Sequence, residues 1–279
     1  MEDETTAGGI PEPVTPEGRA GLAALLRDPR GALVGLDYDG TLAPIVADPL
    51  AARAHPGAVP ALRRLSAHVG TLAVITGRPA TLAVELGGLR GVPGIVVLGH
   101  YGAERWESGT LSAPPPPAAL TTVRRELPAV LSGAGAPSGT WVEDKGYAIA
   151  VHTRRTADPD GALALIRAPL AALAERAGLA TEPGKMVVEL RPAGVDKGAA
   201  LAKLVAERLA RAVMFVGDDL GDLAAFATVR ELRSAGLPGV TVGSGSAEAG
   251  PVAAAADLVV DGPAGVVALL DAIAAALGI

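Results

Sequence analysis

The sequence predicts an α/β protein: a parallel-sheet core interrupted by a smaller α+β module. Three observations carry that prediction. Short apolar runs alternate with helix-like stretches at both ends of the chain. Each run is followed by a polar or glycine turn, as strands covered on both faces require. Between the two ends the pattern changes, and strand-like segments crowd around helices instead of alternating with them.

The elements follow in order. Residues 1–18, rich in Glu, Thr, Pro and Gly, predict a disordered lead-in. Apolar runs at 33–36, 72–75, 95–98, 212–216, 240–242 and 258–260 predict the core strands. Helical stretches fall at 57–68, 79–86, 197–211 and 264–277, with Pro56 just ahead of the first. Four consecutive prolines at 114–117 predict a stiff linker. Beyond it come a helix over 118–131, strand-like residues 140–154, a helix over 160–177 and a strand over 185–191. The expected organisation is a core of 19–109 and 193–279 with 110–192 inserted as a second domain. Within 185–191, Met186, Val188 and Leu190 share one strand face, and Lys185, Val187, Glu189 and Arg191 the other. The apolar face suits the 160–177 helix and leaves a polar platform.

Composition narrows the function. The 279 residues are 49% apolar but only 3% aromatic, so the core is built from small and aliphatic side chains. A net charge of −6 without any run of Lys or Arg argues against nucleic-acid and polybasic membrane partners. The absence of cysteine excludes disulfides, thiolate catalysis and Cys-ligated zinc. His55, His68, His100 and His152 lack metal-ligand spacing. Gly243-Ser244-Gly245-Ser246 is a glycine-rich turn, since the further glycine and the acidic residue of a dinucleotide fingerprint are missing. The chain begins Met1-Glu2-Asp3-Glu4, and no uncharged stretch reaches the ~18 residues of a membrane span. A cytoplasmic monomer acting on a small molecule is the expectation.

Parallel α/β sheets bind ligands at the carboxyl ends of their strands, so the residues after each apolar run matter most. They are Asp37-Tyr38-Asp39-Gly40-Thr41, Thr76-Gly77-Arg78 and Gly217-Asp218-Asp219, with Asp222 further on. Asp37 and Asp39 lie two apart and share a side of extended backbone. Two adjacent carboxylates need a cation or a proton between them, and a third, Asp218, makes a set of hard oxygen ligands that suits Mg²⁺. Lys197 follows Asp196 at a helix start, where an ammonium and free amides seat a phosphate.

Taken in order, Asp37-x-Asp39-Gly40-Thr41, Thr76, Lys197 and Gly217-Asp218-Asp219-x-x-Asp222 resemble the four motifs of haloacid dehalogenase-like phosphatases. The resemblance implies a Rossmann-like, haloacid dehalogenase-like core with an inserted α+β cap. It also implies that Asp37 attacks phosphorus, while Asp39 protonates the leaving alcohol and later deprotonates water. Thr76 and Lys197 would hold phosphoryl oxygens, with Gly40, Thr41 and Arg78 on the substrate side. Mg²⁺ would rest on Asp37, the Asp39 carbonyl and Asp218, with Asp219 and Asp222 behind them.

The inserted segments resemble the cap of trehalose-6-phosphate phosphatases, as does Gly99-His100-Tyr101-Gly102-Ala103-Glu104. That resemblance carries Glu143, Lys145, Arg154, Lys185 and Glu189 over as sugar contacts, His152 being the weaker match. The implied substrate is trehalose 6-phosphate. The alternatives are another sugar phosphate, such as sucrose 6-phosphate or a glycosylglycerate phosphate, and a silent sugar-phosphate-binding regulator. Gly221 and Leu223 replace the Thr and Glu usual in the last motif, and His100-Tyr101 replaces Asn-His.

Overall fold

A computed structural model describes residues 9–184, 186–245 and 250–279. The chain divides into two compact units: one runs to Ser112 and resumes at Asp196, and the other spans Ala113–Val195. The insertion boundaries therefore lie three residues beyond those expected at each end.

The first unit contains α1 (Pro16–Arg27), β1 (Ala32–Leu36), α2 (Ala58–Ser66), β2 (Thr71–Ile75), α3 (Ala80–Gly87), β3 (Val96–Gly99), β4 (Glu104–Glu107) and β5 (Thr110–Ser112). The second holds α4 (Ala118–Gly133), β6 (Trp141–Asp144), β7 (Ile149–His152), α5 (Pro159–Ala177), β8 (Ala180–Gly184) and β9 (Val187–Arg191). The first then resumes with α6 (Lys197–Arg208), β10 (Ala212–Gly217), α7 (Leu223–Ser234), β11 (Gly239–Ser244), α8 (Gly250–Ala255), β12 (Leu258–Val260) and α9 (Gly262–Ala276).

The large sheet has the order β12-β11-β10-β1-β2-β3-β4-β5. Its strands are parallel from β12 to β3, and β4 and β5 form an antiparallel edge. Val34, Leu36, Val74 and Met214 pack on one face with Leu62, Leu65, Val266 and Leu270 from α2 and α9. Leu33, Ile75 and Phe215 pack on the other with Leu201, Leu204 and Phe226 from α6 and α7. Burial on both faces is why these strands read as unbroken apolar runs. After the β4–β5 edge the chain leaves for the second unit and returns on the far side of β1. The order therefore reverses between β1 and β10, which makes their carboxyl ends the topological switch point.

The small sheet is antiparallel, in the order β6-β7-β9-β8. Ile149, Val151, Val188 and Leu190 pack against Leu120, Leu127, Ile166 and Leu170 of α4 and α5. Val188 and Leu190 thus take the predicted face. Met186 does not, because its φ of 61° takes it out of the strand, and its carbonyl accepts the Thr153 amide at 2.9 Å.

The lead-in needs correction over its described part. Ile10 is fully buried in the core, Val14 donates its amide to the Asp257 carbonyl at 2.7 Å, and Thr15 caps α1 by accepting from Gly18. One buried isoleucine and one helix cap anchor a segment whose average composition suggested disorder. Residues 1–8 of the expected lead-in lie outside the described residues. Among the described residues, no helix is long and apolar enough to cross a membrane.

Candidate active site

The register pairs Leu36 of β1 with Val216 of β10, and the Asp37 amide donates to the Val216 carbonyl at 2.9 Å. The next residues of both strands therefore emerge together. Asp37 is 3% exposed and Lys197 4%, the latter opening α6 behind its Asp196 cap. Lys197 Nζ lies 2.8 Å from Asp37 Oδ1 and 2.8 Å from Asp222 Oδ1, with Asp219 Oδ1 at 3.8 Å. A buried ammonium survives only with such partners. Burial alone lowers the Lys197 pKa, but Asp222 and Asp37 more than reverse this and keep it protonated.

The carboxylates experience the opposite pressure. Burial raises the Asp37 pKa well above its ordinary value, with Asp222, Asp219 and Asp218 adding to it while Lys197 opposes. Asp218 is pushed up to about 7 by burial and then by Asp222 and Asp219. Asp37, Asp218 and Asp222 set three buried or half-buried carboxyl groups against the one Lys197 ammonium, an excess of acidic groups. That excess is what a divalent cation neutralises.

Oxygens of Asp37, Asp218 and Asp222 lie within 4.8 Å of one another. The three are not equivalent. Asp222 Oδ1 accepts from Lys197, and its Oδ2 accepts the Asp218 and Asp219 amides at 3.0 and 3.1 Å. Asp218 Oδ1 is buried and makes no hydrogen bond. Asp37 and Asp218 are therefore the side chains suited to hold a cation, and Asp222 orients Lys197 and the 218–222 turn. That turn is a capping box in which Asp219 also accepts the Gly221 amide. The departures at Gly221 and Leu223 thus leave the loop ordered by its two flanking aspartates.

Asp39 has its own cation. Arg78 Nε and Nη2 donate to Asp39 Oδ2 and Oδ1, both at 2.6 Å. Gly40 turns the chain with φ 71°, and a Cβ there would fall inside the Asp218 carboxylate. Thr41 is fully buried with its hydroxyl free of any hydrogen bond. Thr76 is buried, and its hydroxyl accepts the Arg78 amide at 3.2 Å. One residue set aside in the sequence belongs here, and one motif residue has an unexpected backbone. Ser244, set aside with its glycine-rich turn, donates to the Gly40 carbonyl at 2.7 Å. Tyr101 and its neighbour His100 both hold positive φ, 58° and 46°, and Tyr101 Oη would lie 2.7 Å from a Cβ on Gly77.

In the second unit the register sets Glu143, Ala150, Glu189 and Glu182 in one row across all four strands. Lys145 Nζ lies 2.5 Å from Glu189 Oε2, and Arg191 Nη2 lies 2.8 Å from Glu182. Glu189 and Arg191 are 6% and 8% exposed, whereas the side chains of Glu143 and Glu182 are 42% and 52% exposed, so the row is ion-paired and buried in its middle and solvated at its two ends. Glu189 Oε1 is buried without a hydrogen bond. His152 approaches Glu143 at 3.0 Å and stacks on Trp141 at 4.0 Å between ring centroids. Arg154 lies exposed in the turn after β7, and Lys185 lies outside the described residues. Period two had already set Arg191 beside Glu189; the Trp141 stack depends on cross-strand pairing, which sequence spacing does not reveal.

Comparison with known proteins identifies the family. Residues 35–262 match the trehalose-phosphatase family. A probable trehalose-phosphate phosphatase of Sinorhizobium fredii (strain NBRC 101917 / NGR234) is 35% identical over 217 residues, 76% of this chain and 78% of that protein. Other relatives are longer: the chain spans 51% of the trehalose-phosphate phosphatase of Mycobacterium marinum (strain ATCC BAA-535 / M), at 35% identity over 70% of its own length. The structure of Aspergillus fumigatus trehalose-6-phosphate phosphatase superposes with a TM-score of 0.68, at 24% identity over 95% of this chain and 99% of that one. The fold is shared with a haloacid dehalogenase-like hydrolase from Bacteroides thetaiotaomicron, at 19% identity and a TM-score of 0.56 over 86% of this chain and 98% of that one, and the chain belongs to the trehalose-phosphatase family.

Proposed function

We propose that the chain hydrolyses trehalose 6-phosphate to trehalose and inorganic phosphate, with Asp37 as covalent nucleophile and Mg²⁺ as its metal. The observation that carries this reading is the buried Lys197, held by Asp222 beside Asp37, next to the bare oxygen of Asp218. An Asp37 oxygen attacks phosphorus, the bond from phosphorus to the sugar oxygen breaks, and Asp39 gives that oxygen a proton. Water then attacks the aspartyl phosphate, Asp39 takes the water's proton, and the bond from phosphorus to Asp37 breaks. Lys197 and Thr76 hold phosphoryl oxygens in this reading. Asp37, Asp218 and the Asp39 carbonyl would hold the magnesium, which when bound neutralises charge on the phosphoryl group.

Sugar recognition falls to Glu143, Lys145 and Glu189, with Arg154 and Lys185 contributing donors. Alternating carboxylates and ammonium groups match a polyhydroxylated ligand, and Glu189 Oε1, 3.9 Å from Arg191 Nη1 but without a hydrogen bond, is an acceptor for a hydroxyl. The enzyme acts as a cytoplasmic monomer in this reading. The test is phosphate release from a panel of sugar phosphates with Mg²⁺, beside an Asp37→Asn control. Preference for trehalose 6-phosphate is expected. A clear preference for sucrose 6-phosphate or a glycosylglycerate phosphate would replace the substrate while keeping the chemistry.

A further inference from the structure

The guanidinium of Arg78 is committed on several sides. Two of its nitrogens fork onto both oxygens of Asp39, at 2.6 Å each. Its Nη1 donates to the Pro49 carbonyl at 2.8 Å, and its Cζ lies 5.4 Å above the Tyr38 ring centroid. The Arg78 side chain is 12% exposed, whereas that of Asp39 is 39% exposed. Tyr38 is itself pinned, with its hydroxyl donating to Ala52 at 2.9 Å. The 42–52 segment, Arg78 and Asp39 thus form one connected assembly, in which the carboxylate is more open than the guanidinium that holds it. A planar fork fixes both the position and the rotation of its carboxylate, which a single ammonium cannot do.

We infer that Arg78 is a positioning residue for Asp39 and not the direct substrate contact that its place beside Thr76 suggests. This rests on the reading of Asp39 as the group that exchanges protons with the leaving oxygen and with water. A proton transfer partner must lie within hydrogen-bond reach in a fixed direction, and a small misplacement costs about 100-fold. Arg78 supplies that direction, with its third bond to Pro49 preventing the guanidinium from following Asp39 as it swings. Tyr38 below the ring closes the remaining route.

The test compares Arg78→Ala and Arg78→Lys with wild type on trehalose 6-phosphate and on p-nitrophenyl phosphate. Nitrophenolate departs without a proton, so its release burst reports the first step free of acid assistance. Arg78→Ala is expected to lower kcat on the sugar phosphate about 100-fold, with KM and the nitrophenol burst within about threefold of wild type. Added guanidinium at a non-denaturing concentration should restore part of kcat to Arg78→Ala, while Arg78→Lys stays low because it lacks the fork. A rise in KM at unchanged kcat would make Arg78 a substrate contact and overturn the inference. Equal loss of the burst and of sugar-phosphate turnover, without guanidinium rescue, would reduce it to a structural residue and also overturn it. A wild-type chain that hydrolyses no phosphate ester, or an Asp37→Asn variant as active as wild type, would instead sink the underlying reading and this inference with it.

Discussion

Asp222→Asn isolates the contribution of the group that holds Lys197 in place. The wild-type carboxylate is fully buried and accepts three hydrogen bonds: Lys197 on one oxygen, and the Asp218 and Asp219 amides on the other. An asparagine has the same shape but one acceptor oxygen, so its NH₂ must point at Lys197 or at the two amides. Either way a buried donor faces a donor. Removing one partner of a buried ion pair costs about 3–5 kcal/mol. Part of this is returned, because the Asp222 charge raises the Asp37 and Asp218 carboxyls and its loss relieves them. A net destabilisation of about 3 kcal/mol remains, which for a unit of this size lowers the melting temperature by roughly 6–12 °C. The assay is thermal unfolding followed by circular dichroism, at neutral pH without added metal. A shift below about 2 °C would refute the reasoning, since it would mean that Lys197 does not depend on Asp222.

Three further outcomes follow from other contacts. Gly40→Ala places a Cβ inside the Asp218 carboxylate at a φ of 71°, and is expected to raise the Mg²⁺ concentration for half-maximal activity 10–100-fold; unchanged activation would exclude Asp218 as a ligand. Glu189→Ala removes the partner of Lys145 and an acceptor oxygen without a hydrogen bond, and should lower kcat/KM for trehalose 6-phosphate about 10–100-fold while sparing p-nitrophenyl phosphate; equal effects on both would remove Glu189 from sugar recognition. Burial alone raises the Asp257 carboxyl, but bonds from Arg233, Thr15 and Thr241 outweigh it and hold the pKa below its ordinary value. Its stabilisation is therefore present above the unfolded carboxyl value and lost as pH falls through the folded one. Asp257→Asn should flatten the fall in unfolding midpoint between about pH 5 and pH 3; an unaltered slope would contradict this.

Much of the core was legible because a strand buried on both faces writes itself as an apolar run, and the six runs fall within two residues of β1, β2, β3, β10, β11 and β12 at either end. What was illegible depends on partners remote in sequence. Ile10 and Thr15 give no periodic signal, yet one fills the core and the other meets Asp257, 242 positions away. The strand predicted from 185 starts at Val187, because alternation says nothing of the left-handed turn at Met186. At the site, spacing after the strands pointed to Asp37, Asp39, Thr76 and Asp218, since the switch point collects strand ends, and a helix start pointed to Lys197. Spacing could not say which carboxylate belongs to which cation. The expected Asp37–Asp39 repulsion is resolved by Lys197 on one and Arg78 on the other. Nor could it separate Asp219, which is 64% exposed on its side chain, from the fully buried Asp222.

The central claim is that phosphorus becomes covalently attached to Asp37, and trapping that bond tests it most directly. Trehalose 6-phosphate carrying labelled phosphorus, mixed with enzyme and Mg²⁺ and quenched in acid within one turnover, should leave label on the protein. The account predicts a hydroxylamine-labile acyl phosphate mapped to Asp37 and missing from Asp37→Asn. Full turnover with no labelled protein at any quench time, or label on another residue, would contradict it.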